Sequence, residues 1–279
     1  MNIGIVGLGL IGGSIGLKLQ KLNHNVYGIV NNSRNKKIAL ERNLATNVSC
    51  DLKLLKNCSL IILALPIKDL VNPTNELISS LPSEAVVTDV GSIKEPIIKK
   101  WEKIHPLFIG SHPMSGTERK GVEAGNENLF NKSKWIITPT SKTNPTSLDI
   151  LTKLISSMDC EIYQASPKEH DEAVSLISHL PIFLSSSLIS TVNIKQNQSL
   201  LTLTRKIASS GFLDTSRVGG GNPVLGVDLA IHNQSNILRA LKIFKENINE
   251  IESIIEEKNW NLLSKMLEES KRIRSLFSN

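Results

Sequence analysis

An apolar run at residues 2–7 (NIGIVG) ends in Gly7-Leu8-Gly9-Leu10-Ile11-Gly12, a Gly-x-Gly-x-x-Gly spacing wedged between a strand-like and a helix-like segment. In that setting each glycine has a job. Gly7 allows the tight turn, Gly9 lets the backbone approach a pyrophosphate, and Gly12 lets the helix pack on the strand, with the helix N-terminus facing the phosphate charge. The spacing alone is a weak signal; heading a strand–helix–strand pattern, it is a strong one. Gly7, Leu8, Gly9, Leu10, Ile11 and Gly12 are therefore candidates for holding a dinucleotide.

The pattern continues. Apolar runs at 25–30, 60–65, 85–90, 107–110 and 134–138, and a weaker one at 161–164, alternate with amphipathic stretches at 12–22, 34–43, 68–80, 93–103 and 146–158. Such alternation predicts a doubly wound parallel sheet, and runs nearly continuous in Ile, Val and Leu fit strands covered on both faces. Beyond residue 164 the strand signal stops. Ser166 precedes a proline and an acidic turn (SPKEHDE), a helix start, and a long apolar helix runs to about residue 192 with Pro181 expected to kink it. The 279 residues allow about two domains at ~150 each. The fold class expected is α/β, an N-terminal Rossmann sheet over 1–164 followed by an all-α dimerisation domain over 165–279.

Two features bear on partners. Residues 173–194 lack Asp, Glu, Lys and Arg and are long enough to span a bilayer, yet they carry serines, His179 and Pro181. A helix at the centre of a domain or dimer is the better reading, and no membrane span is expected. Ile237, Leu241, Phe244, Ile248, Ile251 and Ile255 form a coiled-coil-like seam, suited to intrachain packing or, more sharply, to an intertwined homodimer. The net charge of +6 is spread over many helix faces, and aromatics are 4% of the chain, so the basic-plus-aromatic signature of a nucleic-acid binder is missing. Cys50, Cys58 and Cys160 make neither a CxxC pair nor a Cys/His ligand spacing. Neither a disulfide scaffold nor a metal site is expected. Met1 leads straight into the strand-like NIGIVG with no basic leading segment and no cleavage signal, as expected of a mature cytoplasmic chain.

Which nicotinamide cofactor would bind is read at the end of the second strand. An NAD enzyme carries Asp or Glu there for the ribose hydroxyls. This chain has Asn31, Asn32, Ser33, Arg34, Asn35 and Lys36, which would accept a 2′-phosphate. Arg34 is either its ligand or a solvated first-turn residue, and NADP is preferred.

Ligands bind beyond the carboxyl ends of such strands. Three loaded segments lie there: Leu65-Pro66, Asp89-Val90-Gly91-Ser92, and 110–117 with His112 and Thr117. His112 follows an apolar strand and precedes a proline, which puts an imidazole on a turn-rich loop at the sheet edge. Ser92 could hydrogen-bond it and set its orientation. No GxSxG elbow accompanies the pair, so a hydrolase is not favoured. His24, His105, His170 and His232 read as structural. His179 sits inside the uncharged helix, where a neutral histidine bonded to a carbonyl is the plainer role. Residues 209–223 (SSGFLDTSRVGGGNP) suit no regular element, and Arg217 among small residues suits a guanidinium aimed at a carboxylate.

Together, GLGLIGGS (7–14), TDVGSIK (88–94), GSHPMSGT (110–117), ENLF (127–130), SHLP (178–181) and ASSGFLDTSRVGGGNP (208–223) resemble the prephenate/arogenate dehydrogenase family, most closely its cyanobacterial arogenate dehydrogenases, over essentially the whole chain. The resemblance implies a Rossmann domain followed by a helical dimerisation domain. It also implies a cyclohexadienol substrate whose ring C4 yields hydride to the nicotinamide as the ring carboxylate leaves as carbon dioxide. By it, His112 matches the catalytic histidine that accepts the 4-hydroxyl proton, Ser92 the serine that positions this pair, Arg217 the arginine that binds the ring carboxylate, and His179 a histidine beside substrate or nicotinamide. Prephenate-specific members often read SHLPH, and the last place here is Ile182. That departure favours arogenate over prephenate.

Overall fold

The computed structural model describes residues 1–117, 119–193 and 197–277, which form two compact units, Met1–Gln234 and Ser235–Asn279. The first is built on an eight-stranded sheet: β1 (Asn2–Val6), β2 (Asn25–Ile29), β3 (Asn47–Ser49), β4 (Leu60–Leu63), β5 (Val86–Asp89), β6 (Phe108–Pro113), β7 (Lys134–Thr138) and β8 (Glu161–Gln164). Their spatial order is β3-β2-β1-β4-β5-β6-β7-β8. The order reverses between β1 and β4, the topological switch point of a doubly wound sheet. Among the described residues, a 3₁₀ turn (Leu52–Asn57) and six α-helices connect these strands: α1 (Leu10–Lys21), α2 (Ser33–Glu41), α3 (Ile67–Val71), α4 (Asn75–Ser80), α5 (Glu95–Trp101) and α6 (Pro145–Ser157). Ile3, Ile5 and Ile62 from the strands pack with Ile15 of α1 and Leu151 and Ile155 of α6, each such buried side chain contributing roughly 1.5–3 kcal/mol.

Three elements differ from the sequence expectation, each for a local reason. The single helix read at 68–80 is two, because Pro73 cannot continue α3; Thr74 then caps α4 by accepting the Leu77 N–H at 3.2 Å. β3 went unread, being three residues long with polar ends. The β6–β7 pair is antiparallel. The described residues between these two strands form only turns, with no helix to carry the chain back across a sheet face, so it doubles back. Pairing with β7 extends β6 past Gly110, with His112 opposite Ile136 and Pro113 opposite Trp135. His112 therefore sits on a strand, not on a loop.

Past β8 the unit is all helix: α7 (Pro167–Val174), a π-helical turn at Ser175–His179, α8 (Leu180–Val192), α9 (Gln198–Ile207), α10 (Ser210–Ser216), a 3₁₀ turn at Arg217–Gly220, and α11 (Pro223–His232). The SPKEHDE start forms a capping box in which Ser166 Oγ accepts the Glu169 N–H at 3.2 Å and Glu169 Oε2 accepts the Ser166 N–H at 2.9 Å. Where Pro181 was expected to kink the helix, the winding widens into the π turn just before it. Residues 209–223, read as irregular, instead form α10 and the 3₁₀ turn. Gly219 makes this possible, since a Cβ there would lie 2.5 Å from the Ser186 backbone N. α7 packs on α5 and β7, and α11 on α3, which keeps this helical stretch in one compact unit with the sheet.

From Pro167 to Val192 the helical run is long and apolar enough to cross a membrane by length and composition. The uncharged stretch expected to end at Ile194 closes outside the described residues. The buried residues of this run include the polar His170, Asp171, Ser175 and His179. In the second unit, α12 (Gln234–Glu256) and α13 (Trp260–Ser275) are joined by a turn with Lys258 at φ 56°. Along the expected seam Ile237 is buried while Ile248 and Ile255 are exposed, and α13 buries no residue.

Candidate active site

The glycine run takes the shape its spacing called for. Gly7 has φ +97°, and a Cβ there would lie 2.3 Å from the Ala64 carbonyl oxygen. At Gly12 a Cβ would meet the Gly7 carbonyl oxygen at 1.9 Å, so only glycine lets α1 approach β1. Gly9 is the opposite case, with open space where its side chain would be. It precedes the N-terminus of α1, which has no side-chain cap and no acidic residue in its first turn, leaving free N–H groups facing that space. The cradle fits a dinucleotide pyrophosphate. Leu8, Leu10 and Ile11 flank it, and Leu65 and Pro66 follow the neighbouring strand β4, Pro66 immediately before α3.

At the carboxyl end of β2 the loop is wired to itself. Asn32 Oδ1 accepts the Asn35 N–H at 2.8 Å, capping α2, and Asn31 Oδ1 accepts from Asn32 Nδ2 at 2.9 Å and Asn35 Nδ2 at 2.8 Å. Ser33 and Arg34 are exposed. No carboxylate lies between residues 31 and 36, and Arg34 engages no side chain or carbonyl among the described residues.

The third feature is a buried polar cluster at the carboxyl ends of β5 and β6. His112, 9% exposed, meets His170 Nε2 through Nδ1 at 2.9 Å, and His170 Nδ1 meets Asp171 Oδ1 at 2.8 Å. Asp171 Oδ1 also accepts the Lys94 N–H at 2.6 Å, and Oδ2 the Glu95 N–H at 2.8 Å. Beneath them, Lys94 Nζ is ion-paired with Asp89 and donates to the Ser111 carbonyl at 2.8 Å. Asp89 in turn accepts the Gly91 N–H at 2.8 Å. Asn233 Nδ2 bridges the Asp171 carbonyl at 2.9 Å and His179 Nδ1 at 3.1 Å.

Burial dominates the electrostatics. It pushes His112 well below the ordinary histidine value, helped by His170, Lys94 and His179. It also lowers His170 against the opposing pull of Asp171, and brings His179 down to about 4. The imidazoles are neutral at physiological pH. Burial likewise raises Asp89 and lowers Lys94, with their ion pair opposing both shifts. His179 Nε2 is buried with no hydrogen-bond partner among the described residues, although the Ser92 backbone lies close enough to favour the protonated ring. Because Nδ1 accepts from Asn233, the bare Nε2 carries the ring proton, and a buried N–H beside this cluster is a place for a ligand acceptor.

The structure thus brings together His112, His179, Ser92 and Gly91 of the residues singled out from the sequence. Ser92 is half-buried and makes no hydrogen bond to His112; His170 takes that place. Arg217, at the head of its 3₁₀ turn, is exposed and has no hydrogen-bond or ion-pair partner among the described residues, and Thr117 is exposed with its Oγ1 accepting the Arg119 N–H at 3.2 Å. His24 and His105 are structural, bonded to the N-terminus and to the Pro82 carbonyl. Sequence reasoning missed His170, Asp171, Lys94 and Asn233. The signal available for His170 and Asp171 was their place one turn inside a capped helix.

Comparison with known proteins agrees with this architecture. Residues 15–164 match the family model described as prephenate dehydrogenase, nucleotide-binding domain, and residues 166–269 the one described as prephenate dehydrogenase, dimerization domain. The prephenate dehydrogenase of Bacillus subtilis (strain 168) is 30% identical over 263 residues, covering 91% of this chain and 70% of that protein. Among solved structures, Synechocystis arogenate dehydrogenase is 36% identical with a TM-score of 0.84, over 99% of this chain and 100% of that one. Prephenate dehydrogenase from Aquifex aeolicus, in complex with hydroxyphenyl propionate and NAD+, is 26% identical with a TM-score of 0.92, over 100% and 98%. A glycine cradle at the switch point, a buried neutral histidine on β6 of the same sheet and these similarities together place the chain in the prephenate dehydrogenase family, oxidoreductases that use a nicotinamide cofactor on a small cyclohexadienyl substrate.

Proposed function

We propose that the chain is an NADP-dependent arogenate dehydrogenase forming tyrosine by oxidative decarboxylation, and that it works as a cytoplasmic homodimer. Residues 1–164 form its dinucleotide-binding domain and 165–279 its helical substrate-binding and dimerisation domain. The observation that carries the chemistry is His112, a neutral imidazole buried toward the carboxyl end of β6, in the same sheet whose switch point carries the glycine cradle. A nicotinamide dinucleotide bound over Gly9 supplies the hydride acceptor. His112 takes the proton of the substrate's 4-hydroxyl as carbonyl character develops. Arg217, which has no partner among the described residues, holds the ring carboxylate, while Ser92, His179 and Thr117 contact the substrate.

The uncharged, donor-rich loop Asn31–Asn32–Ser33 with Arg34 supports NADP, since it offers hydrogen bonds and a cation and nothing to repel a 2′-phosphate. Ile182, three residues beyond His179 on the same helical run, supports arogenate: an apolar side chain there offers no donor to a keto-acid. Leu203, Ile207, Leu213, Val227 and Ile231 are exposed on α9, α10 and α11, and a second copy of the chain would cover them. The three free cysteines fit a reducing compartment.

The alternative is a prephenate dehydrogenase with the same machinery, favoured by the name of the Bacillus subtilis relative. Reduction of NADP+ and of NAD+ by the purified protein, with arogenate and prephenate offered separately, decides among these readings. Turnover of arogenate with NADP+ is the expected result. Preference for prephenate removes Ile182 as the discriminating position, and turnover of neither overturns the reading.

A further inference from the structure

Hydrogen-bond polarity can be followed atom by atom from Asp171 to His112. The Asp171 carboxylate accepts the backbone N–H groups of Lys94 and Glu95 at the start of α5, at 2.6 and 2.8 Å. It therefore faces His170 Nδ1, 2.8 Å away, as an acceptor, and His170 must carry its proton on Nδ1. A neutral imidazole has only one. His170 Nε2 is then a lone pair, and the atom it meets at 2.9 Å, His112 Nδ1, must be the donor.

We propose that His170 and Asp171 are positioning residues which fix His112 in its Nδ1–H tautomer, so that Nε2 alone presents a lone pair to the substrate. The catalytic part of this proposal rests on His112 being the base of the reaction proposed above; the tautomer itself does not. The charged and titratable groups around His112 are Lys94 at the start of α5, Asp89 at the end of β5, His170 and Asp171 on α7, and His179 in the π turn. Lys94 opposes a proton on His112. Asp171 favours one, reaching His112 through His170. When His112 Nε2 accepts the hydroxyl proton, Nδ1 keeps its own and still donates to His170. The new positive charge then faces a chain ending in a carboxylate, which is the orienting logic of an acid–base–acid triad.

The pair is read directly by the imidazole ¹⁵N resonances of histidine-labelled protein at neutral pH, with His112 identified by its loss in His112→Asn. Nδ1 protonated and Nε2 bare is the expected state for both His112 and His170; a bare Nδ1 on His112 overturns the proposal, whatever the protein turns over. Two variants then test the consequence. In His170→Gln the amide oxygen reaches the place of Nε2 and can accept the His112 N–H. His170→Asn reaches only the place of Nδ1 and leaves His112 without its acceptor. The expected result is a kcat within about 10-fold of the parent for Gln and a loss of ~10²-fold or more for Asn, with KM and thermal melting alike in both. Equal losses in the two variants would mean that His170 acts only by packing, and would sink the positioning role.

Discussion

The Lys94 backbone N–H donates to Asp171 Oδ1 at 2.6 Å, across 77 residues of sequence. Through it the helical stretch after β8 grips the sheet edge at the point where the acid–base cluster is assembled. The Lys94 side chain turns the other way, to Asp89 and the Ser111 carbonyl, so one residue ties the cluster to both neighbouring strand ends.

Lys94 and Asp89 side chains are both 0% exposed, and removing one strands the other's charge. Lys94→Met should cost about 3–5 kcal/mol in urea unfolding, and Lys94→Met with Asp89→Asn less than the sum of the single changes. A cost under ~1 kcal/mol for the single variant would show that the pair is not charged in the folded protein.

His112→Asn should lower kcat by ~10²–10⁴-fold with the fold intact, the range for losing a general base. Arg217→Gln should act differently and raise KM for substrate by roughly 10–100-fold, the cost of a lost hydrogen bond to a charged group. Steady-state kinetics separate the two, and an unaltered KM in the second would place the carboxylate elsewhere.

The buried histidines make stability depend on pH with a definite sign. In the unfolded chain an imidazole takes up its proton near ~6.5; folded, His179 does so only near about 4, and His112 and His170 are shifted the same way. Below ~6.5 the unfolded chain binds more protons, so stability is complete above that pH and is lost as pH falls toward about 4. His179 alone accounts for about 3 kcal/mol of that loss. Urea midpoints at pH 7.5 and 5 should differ, and by less in His179→Asn.

Gly9 and Gly12 should fail in different ways. Gly9→Ala adds a methyl group to open space, so its melting temperature should hold while cofactor affinity falls at least ~10-fold, because the methyl lies where backbone and pyrophosphate approach. Gly12→Ala drives a methyl into the Gly7 carbonyl and should lower the melting temperature outright. Calorimetry and a fluorescence titration with NADPH measure both.

Arg34→Ala should lower the NADP-to-NAD ratio of kcat/KM by roughly 10–100-fold if the guanidinium meets the 2′-phosphate. An unchanged ratio would make Arg34 a solvated first-turn residue, with cofactor choice resting on Asn31 and Asn32.

The scaffold was legible because its signals are local. The glycine run, most of the apolar strands and the helix start at Ser166 each occupy a few consecutive residues, and each forms where it was read. His112 was legible too, as an imidazole following an apolar strand. Its partner was not. His170 lies 58 residues away in sequence, in a polar helix start that resembles any solvated one, and only the packing of α7 on α5 and β7 brings it to His112. The length of β6 was hidden for a related reason, since its last residues are held by pairing with β7 and not by their own propensity. Arg217 was visible as a motif, but the helix that carries it depends on the close approach that Gly219 allows against α8.

The π turn at Ser175–His179 carries the buried face of the helical run onward. His170 and Val174 lie four residues apart on that face, and so do Asp171, Ser175 and His179. One residue is worth about 100° of rotation. Deleting a single residue between 175 and 178 would leave every downstream side chain in the sequence but rotate His179 out of the acid–base cluster and turn Ile182 with it. The chemistry of this site is thus sensitive to the length of a helix as well as to its composition.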